Sequence, residues 1–246
     1  MTVNRAENLD YCIRYLLEQN KAEAEISSKL RDKKQLLRTL MNIWYPQPLS
    51  EEFLAAQDAE LQAQLSDKGV VQTRDRLWQG DITRLKVDAI VNAANSRGLG
   101  CWNPLHACID NAIHSAAGLQ LRQECNNILQ GGEIATGGAI FTPGYNLPAK
   151  YVIHTVGPII ATGIPTAGQE EQLACCYRTC LWLAKEHGCR SIAFCCIYTG
   201  EFHFPNRRAA EIAVKTCKDT PLRVVFNVFK DIDYEIYSEL LKNDKK

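Results

Sequence analysis

The chain has 246 residues, of which 46% are hydrophobic and 23% are charged, and these proportions are ordinary for a globular protein. Its 28 basic residues equal its 28 acidic residues, so the formal net charge is zero. A broad nucleic-acid surface needs excess positive charge, so we expect no nucleic-acid partner. No apolar run is long enough to cross a bilayer, so we also expect no membrane partner.

The N-terminal segment and the cysteines predict where the protein works. Arg5, Glu7, Asp10 and Arg14 place charges where a secretory signal would be apolar. Eleven cysteines in a chain that is not exported indicate a reducing intracellular compartment, the cytoplasm. Most of these cysteines lie in apolar segments and are interpreted as small buried hydrophobic residues.

Residues 1–69 lack strand signals and predict a helical N-terminal extension. Apolar residues recur at helical spacing from Leu9 to Leu17 and again over Leu30–Trp44. A third helix is predicted over Ser50–Leu65, because serine followed by two acidic residues suits a helix N-terminus. The extension contains no cluster of catalytic residue types, so we interpret it as a helical cap or docking element.

Residues 70–246 predict strands that alternate with helices. The predicted strands are Val70–Leu77, Ala89–Asn92, Ala139–Phe141, Tyr151–Val156, Ser191–Ile197 and Leu222–Phe229. The predicted helices are Leu105–Leu129, Glu170–His187, Asn206–Lys218 and Ile232–Lys242. Strands that are almost continuously apolar are typical of a sheet covered on both faces, so this pattern predicts a three-layer α/β/α sandwich.

Two polar motifs follow the first two predicted strands. In the segment Gly80-Asp81-Ile82-Thr83, Asp81 has a carboxylate that accepts a hydrogen bond from an exocyclic amine such as that of adenine, although aspartate equally suits a turn or an N-cap. Asn92 and Asn95 close the second strand. Asparagine suits sugar hydroxyls as well as turns, and both interpretations stay open.

Cys101, His106 and Cys108 bring two thiols and one imidazole within eight residues. These are ligand types that zinc takes, and three protein ligands with one open position describe a catalytic zinc site. The alternative is two buried thiols and one capped histidine. The surrounding Gly98, Gly100 and Pro104 favour an irregular segment in which the three side chains converge, so we predict one Zn²⁺ ion.

Two further segments carry candidate residues. Asp110 and His114 are four residues apart and share a helix face, which suits either the positioning of water or substrate, or a structural ion pair. The segment from Thr199 to Asn206 joins a strand to a helix, with Gly200 permitting close backbone approach to a ligand and Asn206 expected to cap the helix. Such a loop predicts an anion site, and it lacks the lysine of a P-loop.

Taken together, these segments resemble the macrodomain family, and within it the zinc-dependent class of ADP-ribosyl hydrolases. The resemblance covers residues 70–246, and residues 1–69 resemble the N-terminal extension of the same class. The strings that carry it are Gly80 through Thr83, Val87 through Asn95, Cys108 through Gly118, Leu147 through Pro158 and Phe194 through Asn206.

The resemblance implies a three-layer α/β/α macrodomain with a mixed central sheet, and it implies roles by position. Catalysis would involve Asn95, Asp110 and His114. ADP-ribose would be bound by Asp81, Ile82, Asn95, Thr199, Gly200, Glu201 and Phe202. Zinc would be bound by Cys101, His106 and Cys108. The family's phosphate loop usually reads Ile-Ser-Thr-Gly, whereas this chain has a tyrosine at the second position, Tyr198, which would crowd the pyrophosphate if it points into the site.

The implied function is the zinc-dependent removal of mono-ADP-ribose from modified protein side chains, with aspartate or glutamate as the linked residue. The implied partners are ADP-ribose and a mono-ADP-ribosylated protein, with a sirtuin-linked carrier protein as the expected substrate. The alternatives are a module that binds ADP-ribose without cleaving it, a deacylase of O-acetyl-ADP-ribose, and a zinc ion that serves only to staple the loop.

Overall fold

The computed structural model describes residues 4–160, 163–197, 199 and 204–243. The helices are α1 (Arg5–Asn20), α2 (Leu30–Ile43), α3 (Glu51–Lys68), α4 (Ile109–Ala117), α5 (Leu119–Leu129), α6 (Ala167–Glu186), α7 (Asn206–Thr216) and α8 (Asp231–Asn243), with a 3-10 turn at Ile82–Arg84. The strands are β1 (Leu77–Gln79), β2 (Ala89–Ala93), β3 (Ala139–Pro143), β4 (Tyr151–Thr155), β5 (Ser191–Phe194) and β6 (Arg223–Val228). None of the helices within these residues is long and apolar enough to cross a membrane.

The strands form one mixed sheet in the order β1-β6-β5-β2-β4-β3. Every neighbouring pair is parallel except β3 and β4, so the antiparallel strand lies at an edge. The residues of β5 and the first four of β2 are all buried, as a sheet covered by helices on both faces requires. The predicted α/β/α fold with a mixed sheet is confirmed.

The strand β2 lies in the middle of the sheet and directs the chain into the candidate site. It pairs with β5 on one side and β4 on the other, and its carboxyl end at Ala93 opens into an irregular segment that reaches α4. Open α/β sheets bind ligands at the carboxyl ends of such neighbouring strands.

Helices α1, α2 and α3 build a hydrophobic core of their own. Its largest fully buried side chains include Trp44 and Phe53, and the Ser50 side chain caps α3 by accepting a hydrogen bond from the Phe53 N–H. Leu119 at the start of α5 belongs to the same core. The three predicted N-terminal helices are therefore confirmed, and they share apolar packing with the rest of the fold. The boundary between residues 69 and 70 stays a prediction.

Three sequence predictions were wrong. The strand predicted over Val70–Leu77 begins only at Leu77, because the polar run between them forms no ladder beyond one bridge from Val71. The helix predicted over Leu105–Leu129 is two helices, since Gly118 has a φ of 101° and ends α4. Asn206 does not cap α7; its amide instead donates to Asp233 Oδ1 at 2.6 Å.

A buried histidine of β4 sits beneath the candidate site. His154 is completely buried, its Nδ1 accepts from Asn92 Nδ2 at 3.1 Å, and its Nε2 lies 3.1 Å from Thr142 Oγ1. If the asparagine amide donates to Nδ1, then Nε2 carries the ring proton. Burial lowers the pKa of His154 from 6.5 to about 3, so the folded protein holds the ring neutral.

We predict that replacing this histidine flattens the acid dependence of stability. Because the unfolded chain takes up a proton near pH 6.5 and the folded chain only near pH 3, His154 lowers the free energy of unfolding as pH falls through this interval. The slope is about 1.4 kcal/mol per pH unit for one proton. Urea unfolding of wild type and His154→Asn between pH 6 and pH 4.5 measures it, and equal slopes in the two proteins would contradict the prediction.

Candidate active site

A buried hydrogen-bond network lies where β2 meets α4. The Asp110 carboxylate accepts from Asn92 Nδ2 at 2.7 Å through Oδ1 and from Asn95 Nδ2 at 3.2 Å through Oδ2. Asn95 Nδ2 also donates to the Gly100 carbonyl at 3.1 Å, and its Oδ1 accepts from the Arg97 N–H. One carboxylate therefore fixes the end of β2, the start of α4 and the segment between them.

Asp110 and His114 lie on one face of α4, as their spacing predicts. Burial raises the pKa of Asp110 to about 6, against the opposing effect of the two asparagine amides and the Arg122 charge. His114 Nε2 is 3.5 Å from Asp110 Oδ1, but neither ring nitrogen makes a hydrogen bond within the described residues. Burial, with the nearby His154 and Arg122, lowers the pKa of His114 well below 6.5, so the ring is neutral.

The three predicted metal ligands converge at the surface beside this network. Cys101 Sγ, a ring nitrogen of His106 and Cys108 Sγ all lie within 4.8 Å of one another, and each side chain is half-buried. The distance from Cys101 Sγ to His106 Nδ1 is 3.5 Å. A sulfur and a nitrogen bound to one tetrahedral zinc ion are about 3.5 Å apart, so this donor set fits zinc.

Cys108 has a second role as the N-cap of α4. Its sulfur accepts a hydrogen bond from the Asn111 N–H at 3.4 Å. Burial, together with the neighbouring Cys101, raises the pKa of the Cys108 thiol to about 12. A bound metal ion deprotonates a coordinating thiol, and an N–H pointed at the sulfur stabilises the resulting thiolate. The local structure around Cys108 therefore suits a metal-bound sulfur.

A second group of potential ligand atoms lies deeper, at His114, Cys125 and His154, again within 4.8 Å of one another. The hydrogen bonds of His154 to Asn92 and Thr142 engage both of its ring nitrogens. Burial also raises the pKa of the Cys125 thiol, which favours its protonated form. We interpret this group as a structural layer under the site.

The predicted nucleotide-binding residues lie partly within the described chain. Asp81 Oδ1 accepts from the Thr83 N–H at 3.0 Å and caps the 3-10 turn that begins at Ile82, while its Oδ2 pairs with Lys68 at 3.1 Å. Thr199 Oγ1 donates to the Cys196 carbonyl beyond the end of β5. Gly200, Glu201 and Phe202 lie outside the described residues, as does Tyr198.

Three residues that the sequence did not predict contact residues 101–108, the ligand segment, which carries the three predicted metal ligands. On α2, Arg38 donates a hydrogen bond to the His106 carbonyl, and Asn42 accepts one from the Leu105 N–H. On α5, Arg122 donates to the Cys101 carbonyl. No sequence signal marked them, because α5 is largely polar; in the fold, Arg122 is nevertheless only 2% exposed. Lone charges are almost never buried without a partner.

Comparison with known proteins identifies the class of this fold and site. A family model described as the Macro domain matches residues 91–213. The chain belongs to the macrodomain family.

Three relatives show which members of this family the chain resembles. The chain is 47% identical to a protein-ADP-ribose hydrolase of Treponema medium, over 97% of this chain and all of that protein. It is also 47% identical to a protein-ADP-ribose hydrolase of Staphylococcus aureus, over 88% of each chain. A solved Trypanosoma brucei macrodomain in complex with ADP-ribose is 30% identical, with a TM-score of 0.60, and the match covers 89% of this chain and 97% of that one. Since residues 70–246 make up less than three quarters of the chain, these alignments extend into the N-terminal helices.

We predict that a methyl group at Gly100 disrupts the site, whereas one at Gly131 does not. Both glycines have positive φ, so alanine costs each about 1–2 kcal/mol of backbone strain. A Cβ at Gly100 would also lie 2.8 Å from Cγ of His114, while a Cβ at Gly131 meets open space. Urea unfolding should show a clearly larger loss for Gly100→Ala. Equal losses would mean that His114 does not pack against this loop.

Proposed function

We propose that the protein is a zinc-dependent hydrolase that removes mono-ADP-ribose from modified protein side chains. One observation carries the proposal: the Cys101, His106 and Cys108 ligand atoms converge beside the Asn95–Asp110 hydrogen bond at the carboxyl edge of the sheet. A protein that only binds ADP-ribose has no need of a metal site with three protein ligands and an open fourth position there. The names of the relatives, protein-ADP-ribose hydrolase, support the same activity.

The residues that would hold zinc are Cys101, His106 and Cys108, with a fourth position left for substrate or water. When bound, a zinc ion supplies a Lewis acid that polarises an oxygen of the distal ribose or of the scissile ester. The two thiolates would balance its charge, which suits a half-buried position. We rank substrate positioning above the generation of hydroxide as its contribution.

The chain's own residues would orient the sugar and the reacting water. Asn95 Oδ1 accepts only the Arg97 N–H among the described residues, and its second lone pair is available to a hydroxyl of the distal ribose. Asp110 fixes that amide, because its Oδ2 accepts from Asn95 Nδ2. His114 is 4% exposed, so its part in catalysis would be indirect: its ring lies beside Gly100, whose carbonyl accepts a hydrogen bond from Asn95.

In the overall reaction, water is added across the bond between the anomeric carbon of the distal ribose and the side-chain oxygen. The products are ADP-ribose and the free side chain. We propose aspartate or glutamate as the linked residue and a sirtuin-linked carrier protein as the substrate; both follow from the resemblance to the zinc-dependent class. The nucleotide half of the ligand would be recognised by Asp81 and Ile82, and the diphosphate by the loop from Thr199 to Phe202.

We predict that zinc removal and loss of a ligand cysteine both abolish hydrolysis. Protein purified without added metal should contain close to one zinc ion per chain, and a chelator should stop release of ADP-ribose from a mono-ADP-ribosylated protein. Cys101→Ala should lower the rate at least about 100-fold, since it removes one of three ligands. Cys175→Ala, a half-buried cysteine on α6, is the matched control and should keep wild-type activity.

The alternatives each give a different result in this experiment. Tight ADP-ribose binding with no release by wild-type protein would indicate a binding module. Collapse of the thermal melt in Cys101→Ala would indicate that zinc only staples the loop. A higher rate on O-acetyl-ADP-ribose than on modified protein would indicate the deacylase. Full activity in protein shown to be free of metal would contradict the proposed role of zinc.

We also predict that Asp81→Asn weakens ADP-ribose binding. Replacing the carboxylate removes a charged acceptor for the adenine amine, and such hydrogen bonds contribute about 1.5–3 kcal/mol, or roughly 10- to 100-fold in Kd. The control is Asp88→Asn. Asp88 directly precedes β2, at the end of the strand away from the candidate site, and accepts from the Arg190 and Ser191 N–H groups. Calorimetric titration with ADP-ribose should separate the two variants, and an unchanged Kd for Asp81→Asn would exclude Asp81 from the adenine site.

A further inference from the structure

The segment that carries the three metal ligands has little structure of its own. Residues 101–108 contain neither helix nor strand, and Leu105 has a φ of 57°, a left-handed conformation that leucine rarely adopts. Within the segment, the His106 N–H donates to the Asn103 carbonyl at 3.2 Å. Ligand positions within a few tenths of an ångström therefore depend on contacts from elsewhere in the fold.

Asn42 of α2 holds the residue before the histidine ligand. Its side chain is 1% exposed, and its Oδ1 accepts a hydrogen bond from the Leu105 N–H at 3.0 Å. Its Nδ2 donates to Ser115 Oγ on α4 at 3.1 Å. One amide of the N-terminal extension thus fixes the strained backbone next to His106 and ties it to the helix that begins after Cys108.

Arg38, one turn earlier on α2, contacts the other side of the segment. Its Nη2 donates to the His106 carbonyl at 3.2 Å, and its Nε and Nη2 donate to Asn111 Oδ1 at 3.0 and 2.6 Å. Asn111 is completely buried, and its N–H is the donor to Cys108 Sγ. A single guanidinium therefore joins the backbone of one ligand to the residue that hydrogen-bonds the sulfur of another.

Arg122 connects the extension to the first ligand. Its Nη1 donates to the carbonyls of Asn42 and Trp44 at 2.9 and 2.7 Å, and its Nη2 lies 3.5 Å from the Cys101 carbonyl. The guanidinium also lies 4.4 Å over the Trp102 ring. The backbone at or next to Cys101 and His106 is thus reached by a side chain of α2 or by one that α2 holds, and Cys108 is reached through Asn111.

We infer that α2 of the N-terminal extension is part of the metal centre, with Arg38 and Asn42 as positioning residues for Cys101, His106 and Cys108. This inference rests on the proposed zinc site. The N-terminal extension would then do more than cover the fold, because without it the ligand segment would lose the hydrogen bonds from Arg38 and Asn42. Outer contacts of this kind alter metal affinity by about 10- to 100-fold when removed.

The test uses the full chain stripped of metal. Zinc affinity is measured by competition with a chromophoric chelator, and added Co²⁺ reports the ligand geometry through its sulfur-to-cobalt absorption. Arg38→Met and Asn42→Ala should weaken zinc binding about 10- to 100-fold and change the Co²⁺ spectrum. Arg31→Met, an exposed arginine two turns before Arg38 on α2, should bind like wild type. Asn42→Asp keeps the acceptor for Leu105 N–H and should restore most of the affinity.

Each outcome bears on a defined claim. Wild-type protein that binds neither metal would overturn the zinc proposal and this inference with it. Wild type that binds while Arg38→Met and Asn42→Ala bind equally well, with unchanged spectra, would overturn the inference alone. Thermal melts of the metal-free proteins show whether a variant is simply unfolded. If Asn42→Ala is unfolded, the zinc affinity of Asn42→Asp decides between the two explanations. An equal loss of affinity in both variants would exclude positioning through the Leu105 N–H.

Discussion

The arrangement of the site depends on one buried carboxylate. Asp110 has lost most of its hydration, and the amides of Asn92 and Asn95 compensate by donating to its two oxygens. Asn92 in turn reaches the ring of His154 on the neighbouring strand. Through these contacts the central strand, the helix α4 and the metal-ligand segment are held in one geometry, so the polar groups of the site are already oriented before a ligand arrives.

The second constraint is the irregular backbone of residues 101–108. Regular structure satisfies its own backbone groups, but this segment relies on side chains that come from α2 and α5. This arrangement combines access from solvent with fixed side-chain positions, and both suit a metal site that receives a substrate. The three proposed ligands are half-buried, where a large substrate can reach them, and the segment that carries them is contacted by the buried side chains of Asn42 and Arg122.

Much of this arrangement could be predicted from the sequence, for local reasons. The convergence of Cys101, His106 and Cys108 follows from their short spacing in a glycine- and proline-containing segment, and the placement of Asp110 and His114 on one helix face follows from helical periodicity. The helix break at Gly118 was missed because the residues on both sides of it continue the same apolar pattern. The polar residues after Val71 should have excluded a strand there.

The remaining features could not be predicted because they join distant parts of the chain. Arg38 and Asn111 are 73 residues apart, and Arg122 and Asn42 are 80 apart. Neither arginine belongs to a motif, and their partners are mostly backbone carbonyls or a single amide, which any sequence would provide. Only the three-dimensional packing of α2 against α4 and α5 shows what these side chains do.

The shared core at Leu119 and the buried Arg122 have a consequence for how the molecule folds. If the first 69 residues were cut away, the Leu119 side chain would face water and the Arg122 guanidinium would lose the Asn42 and Trp44 carbonyls that neutralise its burial. Exposing one buried leucine side chain to water costs about 1.5–3 kcal/mol, a large part of the stability of a domain of this size. We therefore expect the N-terminal helices and the rest of the fold to unfold together, and we expect a shortened chain that begins at the first strand to be a damaged protein rather than a minimal one.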